Sequence, residues 1–360
     1  MGNALAQISQ SGVAVWLDDL SRDRLKTGSL TKLIQTDNVV GVTTNPNIFA
    51  TAIGNSQLYQ GDIKQNKDKS TEEIITKLTT DDVRSACDLF SEIFKSTNGV
   101  DGRVSIEVDP RFARDTAATI GQGKQLWQII DRPNLLIKVP ATIEGLPAIT
   151  DLISSGISVN VTLIFSVNRY KEVLAAYAAG LEKGLSNGAS IRNIHSVASF
   201  FISRIDSEVD KQLPIDSELR GMTAIANAVM AYEACLAFEK TPRWQSLKEK
   251  GGNLQRPLWA STGVKDQAYD PTRYVMLLVA KNTVNTMPEA TLNIVRDSGI
   301  FSGDTITPNI KSAKATLAKL AMAGIDLDKV TKHLEIDGVA KFEAAWLDLM
   351  NSVKTVAIGS

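Results

Sequence analysis

Two patterns of apolar and polar positions alternate along the chain. Short apolar runs read as strands buried on both faces, and longer stretches with apolar residues every three or four positions read as helices with one apolar stripe. The runs predict strands at 13–19 (VAVWLDD), 41–45 (GVTTN), 103–109 (RVSIEVD), 135–141 (LLIKVPA), 158–165 (SVNVTLIF), 195–201 (HSVASFF), 257–262 (PLWAST) and 282–287 (NTVNTM). Between them, helices are predicted over 80–96, 111–130, 144–155, 167–184, 217–239 and 272–280. Val83, Ala86, Cys87, Phe90, Ile93 and Phe94 form one stripe, and Ser70 with Glu73 fits a capping box for the helix before it. The gap between the second and third strands holds more than one helix. Past about residue 305 the pattern is helical to the end, and FEAAWLDLMNSV (342–353) predicts an amphipathic helix packing across the body.

Eight strands separated by helices predict a parallel sheet with right-handed crossovers. An open doubly wound sheet and a closed (β/α)8 TIM barrel both satisfy that order. No GxGxxG or GxxxxGK[ST] follows a strand, which weakens the nucleotide-binding version. The strand count and the polar strand ends favour the barrel, as one domain over 1–360 with C-terminal helices from about 305 packing on it. With 43% hydrophobic and 22% charged residues, 360 residues suffice for a large core.

Composition narrows the function classes. A net charge of -1, from 39 basic and 40 acidic residues, argues against a nucleic-acid or membrane partner. No apolar run approaches the roughly 18 residues of a membrane span. The N-terminus lacks the apolar core of a signal peptide, so a cytoplasmic protein is expected and the NVT sequon at 160–162 is accidental. Two cysteines, Cys87 and Cys235, make neither a disulfide framework nor a zinc site, and Cys87 falls on a core stripe. With His195 and His333 as the only histidines, a metal site built on several histidines is excluded. Nothing in the sequence separates a monomer from a homodimer.

In a barrel, inward residues near the C-terminal strand ends build the active site. Here they are Asp18, Thr43, Asn45, Glu107, Lys138, Asn160, Thr162, Ser199 and Ser261. Lys138 stands in the middle of an apolar strand. Burial disfavours the charged amine, and a neutral amine is a nucleophile toward carbonyls. The competing reading is a lysine that snorkels past the rim or merely pairs with Glu107. Asp18 alone could cap a helix, although Asp19 suits that better.

Sequence motifs bring in a resemblance. GVTTNPNIF (41–49) and LIKVPATIEGL (136–146) resemble the two signature segments of transaldolases, and WLDD (16–19), IEVD (106–109), VNVTLIFS (159–166) and SFFISRID (199–206) fall where that family has its active-site strands. The resemblance implies a (β/α)8 barrel and a Schiff-base mechanism with neither metal nor organic cofactor. The implied reaction moves a dihydroxyacetone unit from sedoheptulose 7-phosphate to glyceraldehyde 3-phosphate, giving erythrose 4-phosphate and fructose 6-phosphate in the pentose phosphate pathway. By resemblance, Lys138 forms the imine, Asp18 is the acid/base, and Glu107 with Thr162 holds a proton-shuttling water. Asn45 and Asn160 hold the donor, with Thr43 and Ser199 nearby. Ser199 and Arg204 belong to the phosphate end. A second phosphate arginine of many relatives has no clear counterpart in WASTGVKD (259–266), where Ser261 and Lys265 are the nearest candidates. The alternatives are an aldolase that releases dihydroxyacetone to water and a non-catalytic sugar-phosphate-binding barrel.

Overall fold

The computed structural model describes residues 2–358. Eight parallel strands close in sequence order into a barrel: β1 Val13–Leu17, β2 Val39–Val42, β3 Arg103–Glu107, β4 Leu135–Pro140, β5 Val159–Ile164, β6 Ser196–Phe201, β7 Arg256–Ala260 and β8 Thr283–Met287. β1 pairs with β8, which closes the ring. Every predicted strand is present, and the closed barrel replaces the open sheet as the only reading.

The ladders stop short of several predicted C-terminal ends. Asp18, Thr43, Asn45 and Ser261 therefore lie just beyond their strands. Asp18 and Thr43 each keep one backbone bond to the neighbouring strand, donating to the Met287 and Leu17 carbonyls at 2.9 Å, and the chain beyond them turns into the loops of the C-terminal mouth. Other departures are local. The helix expected over 80–96 is two, Thr71–Leu89 and Ser91–Ser96, broken at Phe90 (ψ 1°). The segment 272–280 forms only a four-residue helix, Arg273–Met276, and 217–239 becomes helical from Thr223. The Ser70–Glu73 capping box forms in both directions. Ser21, rather than Asp19, caps the helix Arg22–Thr27, and Asp19 instead pairs with Arg24 at 2.6 Å.

The 32-residue helix Leu327–Ile358 crosses the C-terminal mouth. Val330, Leu334, Gly338, Phe342, Ala345, Leu349 and Val353 recur at three- and four-residue spacing as its buried stripe. The helix packs on Pro46–Asn55, Thr71–Leu89, Ser203–Val209 and β5. Gly338 makes the closest approach possible, because a Cβ there would stand 3.1 Å from Leu163 Cδ2. Leu163 has φ +58°, where the register of β5 against β6 shifts. A branched residue in this region carries strain of about 1–3 kcal/mol, which persists only where packing enforces it.

Gly145 opens the helix Gly145–Ser154 behind β4, and a methyl group there would overlap the Pro140 carbonyl oxygen at the end of the lysine-bearing strand. Gly145→Ala is therefore expected to lose about 1–3 kcal/mol of stability in urea unfolding, since backbone cannot yield as a flexible side chain would. Activity should fall with it, because β4 must shift.

Candidate active site

Lys138 sits midway along β4 and is 4% exposed. In register it stands between Glu107 of β3 and Asn160 of β5. Its Nζ donates to the Thr44 carbonyl at 3.0 Å and lies 3.3 Å from Glu107 Oε2. The second contact is an ion pair rather than an aligned hydrogen bond, for neither Glu107 oxygen has a hydrogen-bonding partner. The Thr162 hydroxyl, on the same face of β5 as Asn160, is likewise buried without a partner. The ring of Phe342, from the crossing helix and 2% exposed, centres 5.9 Å from the ammonium. The lysine is thus closed in from above by a residue remote in sequence.

Asp18 Oδ1 accepts from the Thr43 hydroxyl at 2.7 Å, and Thr43 Oγ1 also lies 2.7 Å from Thr286 Oγ1. The Asn160 amide is engaged at both ends: Nδ2 donates to Ser105 Oγ at 3.0 Å, and Oδ1 accepts from Ser199 Oγ at 2.7 Å. Ser199 has therefore committed its proton to Asn160 and offers a ligand its lone pairs. Asn160 is fully buried, which removes the sequon from any surface reading. Asn45 Oδ1 caps the helix Pro46–Asn55 by accepting from the Ile48 N–H at 3.1 Å, so its amide nitrogen is what it can present to a ligand.

Burial raises the Glu107 carboxyl to about 7, against the pull of the Lys138 charge. Burial also raises Asp18, opposed by Lys138 and by the Thr43 hydroxyl. Two carboxyls facing one ammonium are thus each held closer to neutrality than in water.

A cavity of about 600 Å³ opens above these groups, lined by Asp18, Thr43, Asn45, Lys138, Ser199, Arg204, Ser261 and Lys265 among others. Glu107, Asn160 and Thr162 are absent from its wall and stand on β3 and β5, the strands that flank the lysine. Arg204 lies in the helix Ser203–Val209, its guanidinium 5.4 Å from the Phe201 ring and its Nη1 buried without a partner. Burial lowers the affinity of both Arg204 and Lys265 for their protons, and for Lys265 the Arg204 charge adds to that. Ser261 takes φ +57°, and its hydroxyl lies 3.0 Å from that of Ser203. Lys265 also borders a larger cavity of about 820 Å³ containing Asp206 and Asp210. There, both oxygens of each carboxylate accept hydrogen bonds, from the Ala224 N–H and Tyr274 and from the Gly221 N–H and Tyr269. Those groups are spent on holding the loop after β6.

Sequence reasoning missed Ser105, Thr286, Phe201 and Phe342. The first three sit on barrel strands at inward positions, two residues from Glu107, one before Met287 and two after Ser199, so strand alternation could have found them. Phe342 carried no signal beyond its helical stripe.

The chain matches the Transaldolase/Fructose-6-phosphate aldolase family over residues 15–353. It belongs to that family. It is 53% identical to a Mycobacterium tuberculosis protein named Transaldolase over 358 residues, covering 97% of this chain and 96% of the relative. It is 52% identical to Transaldolase 1 of Streptomyces coelicolor over 357 residues, covering 97% and 94%. The Transaldolase of Mycolicibacterium smegmatis is 53% identical over 357 residues, covering 97% and 96%. Within this family the buried lysine and the two carboxyls become the groups to test first.

The raised Glu107 carboxyl sets a sign for stability. A carboxyl whose folded pKa lies above its unfolded value binds the proton more tightly when folded, so its contribution declines as pH rises from about 4.5 to about 7. Glu107→Gln cannot ionise and escapes that decline. In urea unfolding, the variant should gain stability relative to the parent chain between pH 5 and pH 8, whereas a constant difference would remove the raised ionisation.

Proposed function

We propose that this protein is a transaldolase, moving a dihydroxyacetone unit between sugar phosphates through an imine on Lys138. The observation that carries the reading is a nearly inaccessible ammonium inside a barrel strand, facing two carboxyls whose affinity for protons burial has raised. The relatives at 52–53% identity over nearly the whole chain carry the name transaldolase, which favours transfer over release of free dihydroxyacetone.

The chemistry follows from these groups. Lys138 passes a proton to Glu107, 3.3 Å away, and the resulting neutral amine adds to the C2 carbonyl of the ketose phosphate, giving a carbinolamine. Loss of its hydroxyl as water leaves a protonated imine. Glu107 and the Thr162 hydroxyl are proposed to handle the protons of that step through one bound water, since both are buried with unused hydrogen-bonding capacity. The imine then acts as an electron sink. Asp18 takes the C4 hydroxyl proton as the C3–C4 bond breaks, an aldose phosphate leaves, and the three-carbon unit remains as an enamine. The enamine carbon attacks the carbonyl carbon of the acceptor aldehyde, Asp18 returns its proton to the new hydroxyl, and hydrolysis frees the lysine. Thr43 holds the Asp18 carboxylate in place through its hydroxyl. Phe342 and the barrel wall keep water from protonating the enamine before the acceptor arrives.

Asn45 and Asn160 are proposed to hold the donor hydroxyls, Asn160 chiefly by fixing Ser199 and Ser105. At the outer end of the cavity, Arg204 with its free Nη1, Ser261 and Lys265 are proposed to bind the phosphate. The arginine offers a planar fork and the lysine a point charge.

Incubation with fructose 6-phosphate and borohydride should attach a reduced dihydroxyacetone adduct to the peptide bearing Lys138, and an adduct elsewhere would reject the assignment. Glu107→Gln should slow this trapping by roughly 10²–10⁴-fold. Asp18→Asn should trap at a near-normal rate, but with the uncleaved sugar attached. Identical species at identical rates from both variants would refute the division of labour.

The phosphate assignment has its own signature. Loss of a charged hydrogen bond should cost Arg204→Ala about ten- to a hundredfold in affinity for fructose 6-phosphate. The Michaelis constant for unphosphorylated fructose should move far less. Lys265→Ala should show the same selectivity more weakly, and equal losses for both sugars would move the phosphate site elsewhere.

A further inference from the structure

The opposite end of the barrel holds a charge that the reaction does not use. Arg103, the first residue of β3, is 1% exposed. Its Nε donates to the Gly99 carbonyl at 2.7 Å and its Nη1 to the Pro133 carbonyl at 3.1 Å, and the Phe94 ring lies 4.9 Å from the guanidinium carbon. Among the described residues no carboxylate pairs with it, and its Nη2 is buried without a partner. A buried guanidinium with neither counter-ion nor full hydrogen bonding is unfavourable, so buried charges are ordinarily paired.

A cavity of about 170 Å³ borders this group, with Arg103, His195, Ser196, Asn253, Arg256 and Asn282 in its wall. All lie at or just before the N-terminal ends of β3, β6, β7 and β8. Asn282 is exposed, so the cavity reaches solvent on that side. His195 Nε2 and Arg103 Nη2 flank Gly99, where a Cβ would stand 3.2 Å from the first and 3.3 Å from the second. Arg256 carries the second guanidinium, and among the described residues its one carboxylate partner is Asp101 at 2.9 Å. The cluster therefore holds two fixed positive charges against one negative.

We propose that this cavity binds a small free oxyanion of the size of inorganic phosphate, between Arg103, Arg256 and the His195 ring. The volume admits a tetrahedral or carboxylate anion and is less than a third of the roughly 600 Å³ of the cavity above Lys138. Burial and the Arg256 charge push Arg103 down to about 9, and burial with both arginines pushes His195 down to about 3. Burial is the larger cause of both shifts, and a bound anion would relieve the part that comes from neighbouring positive charge. Asp101 competes with the anion for Arg256.

The chain has two histidines, so its imidazole NMR spectrum is simple to assign with His333→Gln as the reference. The titration uses the full chain carrying Arg204→Ala, so that phosphate binding above Lys138 is weakened, and His195, at the opposite end of the barrel, reports the lower cavity. Inorganic phosphate should shift the His195 resonances along a saturable curve, while His333 stays still and chloride at equal ionic strength leaves both unmoved. Adding Arg256→Gln should weaken that binding tenfold or more, by loss of a charged donor. Adding Asp101→Asn should tighten it, by freeing the same donor. Opposite signs from two variants of one ion pair cannot come from general damage to the fold. No saturable His195 shift, a shift matched by chloride, or equal affinity in all three chains would overturn the site and leave Arg103 a structural arginine satisfied by water.

Discussion

The constraint on which the rest depends is the burial of one ammonium beside a carboxyl inside a closed barrel. An ammonium 4% exposed on a strand has few ways to be tolerated. Here Glu107 supplies one partner from the adjacent strand, where parallel register sets it beside the lysine, and the Thr44 carbonyl supplies the other from the loop after β2. That register needs β3 and β4 side by side, and closure of the ring also brings Asp18 of the β1 end to the same lysine. The same burial raises both carboxyls, so the fold creates the acid–base character that imine chemistry needs.

Around this centre the structure separates rigid from adaptable parts. Ser105, Asn160 and Ser199 form a hydrogen-bonded chain within the barrel, and Thr43 links Asp18 to Thr286. These bonds fix the reacting groups before any substrate enters, which is the preorganisation that electrostatic catalysis relies on. The groups assigned to phosphate are looser: Arg204 keeps an unsatisfied nitrogen, and Lys265 sits in a loop between two cavities. The arrangement suits a reaction whose carbon chemistry must be exact while its substrates differ in length. The crossing helix adds the roof, and Gly338 lets it descend far enough for Phe342 to reach the lysine.

The barrel ends differ in what their charges do. Above, Lys138 and the carboxyls offset one another, and Lys138 and Asp18 line a cavity of about 600 Å³. Below, Arg103 and Arg256 outweigh Asp101. In barrels of this kind the lower face is usually devoted to stability. An anion site there would couple stability to the concentration of a small free ion through mass action, without touching the chemistry above.

Local pattern alone determined the strands, their order and the inward lysine, because each is a statement about residues close together in the chain. Alternation on β3, β4 and β5 put Glu107, Lys138, Asn160 and Thr162 on inward faces, and parallel packing leaves little freedom in how such strands meet. The motifs around 41–49 and 136–146 added the family. What the sequence left open depended on residues far apart. Whether the sheet closed was undecided by the order of strands, since an open sheet satisfies the same order; the β1–β8 ladder decided it. That Asn45 and Ser199 each spend one polar group internally depended on partners no periodicity names. Phe342 read as one more apolar residue on a terminal stripe. Its place over Lys138 was decided only when that stripe found the mouth of the barrel, because the burial of a helix face specifies that it must be covered and not by what.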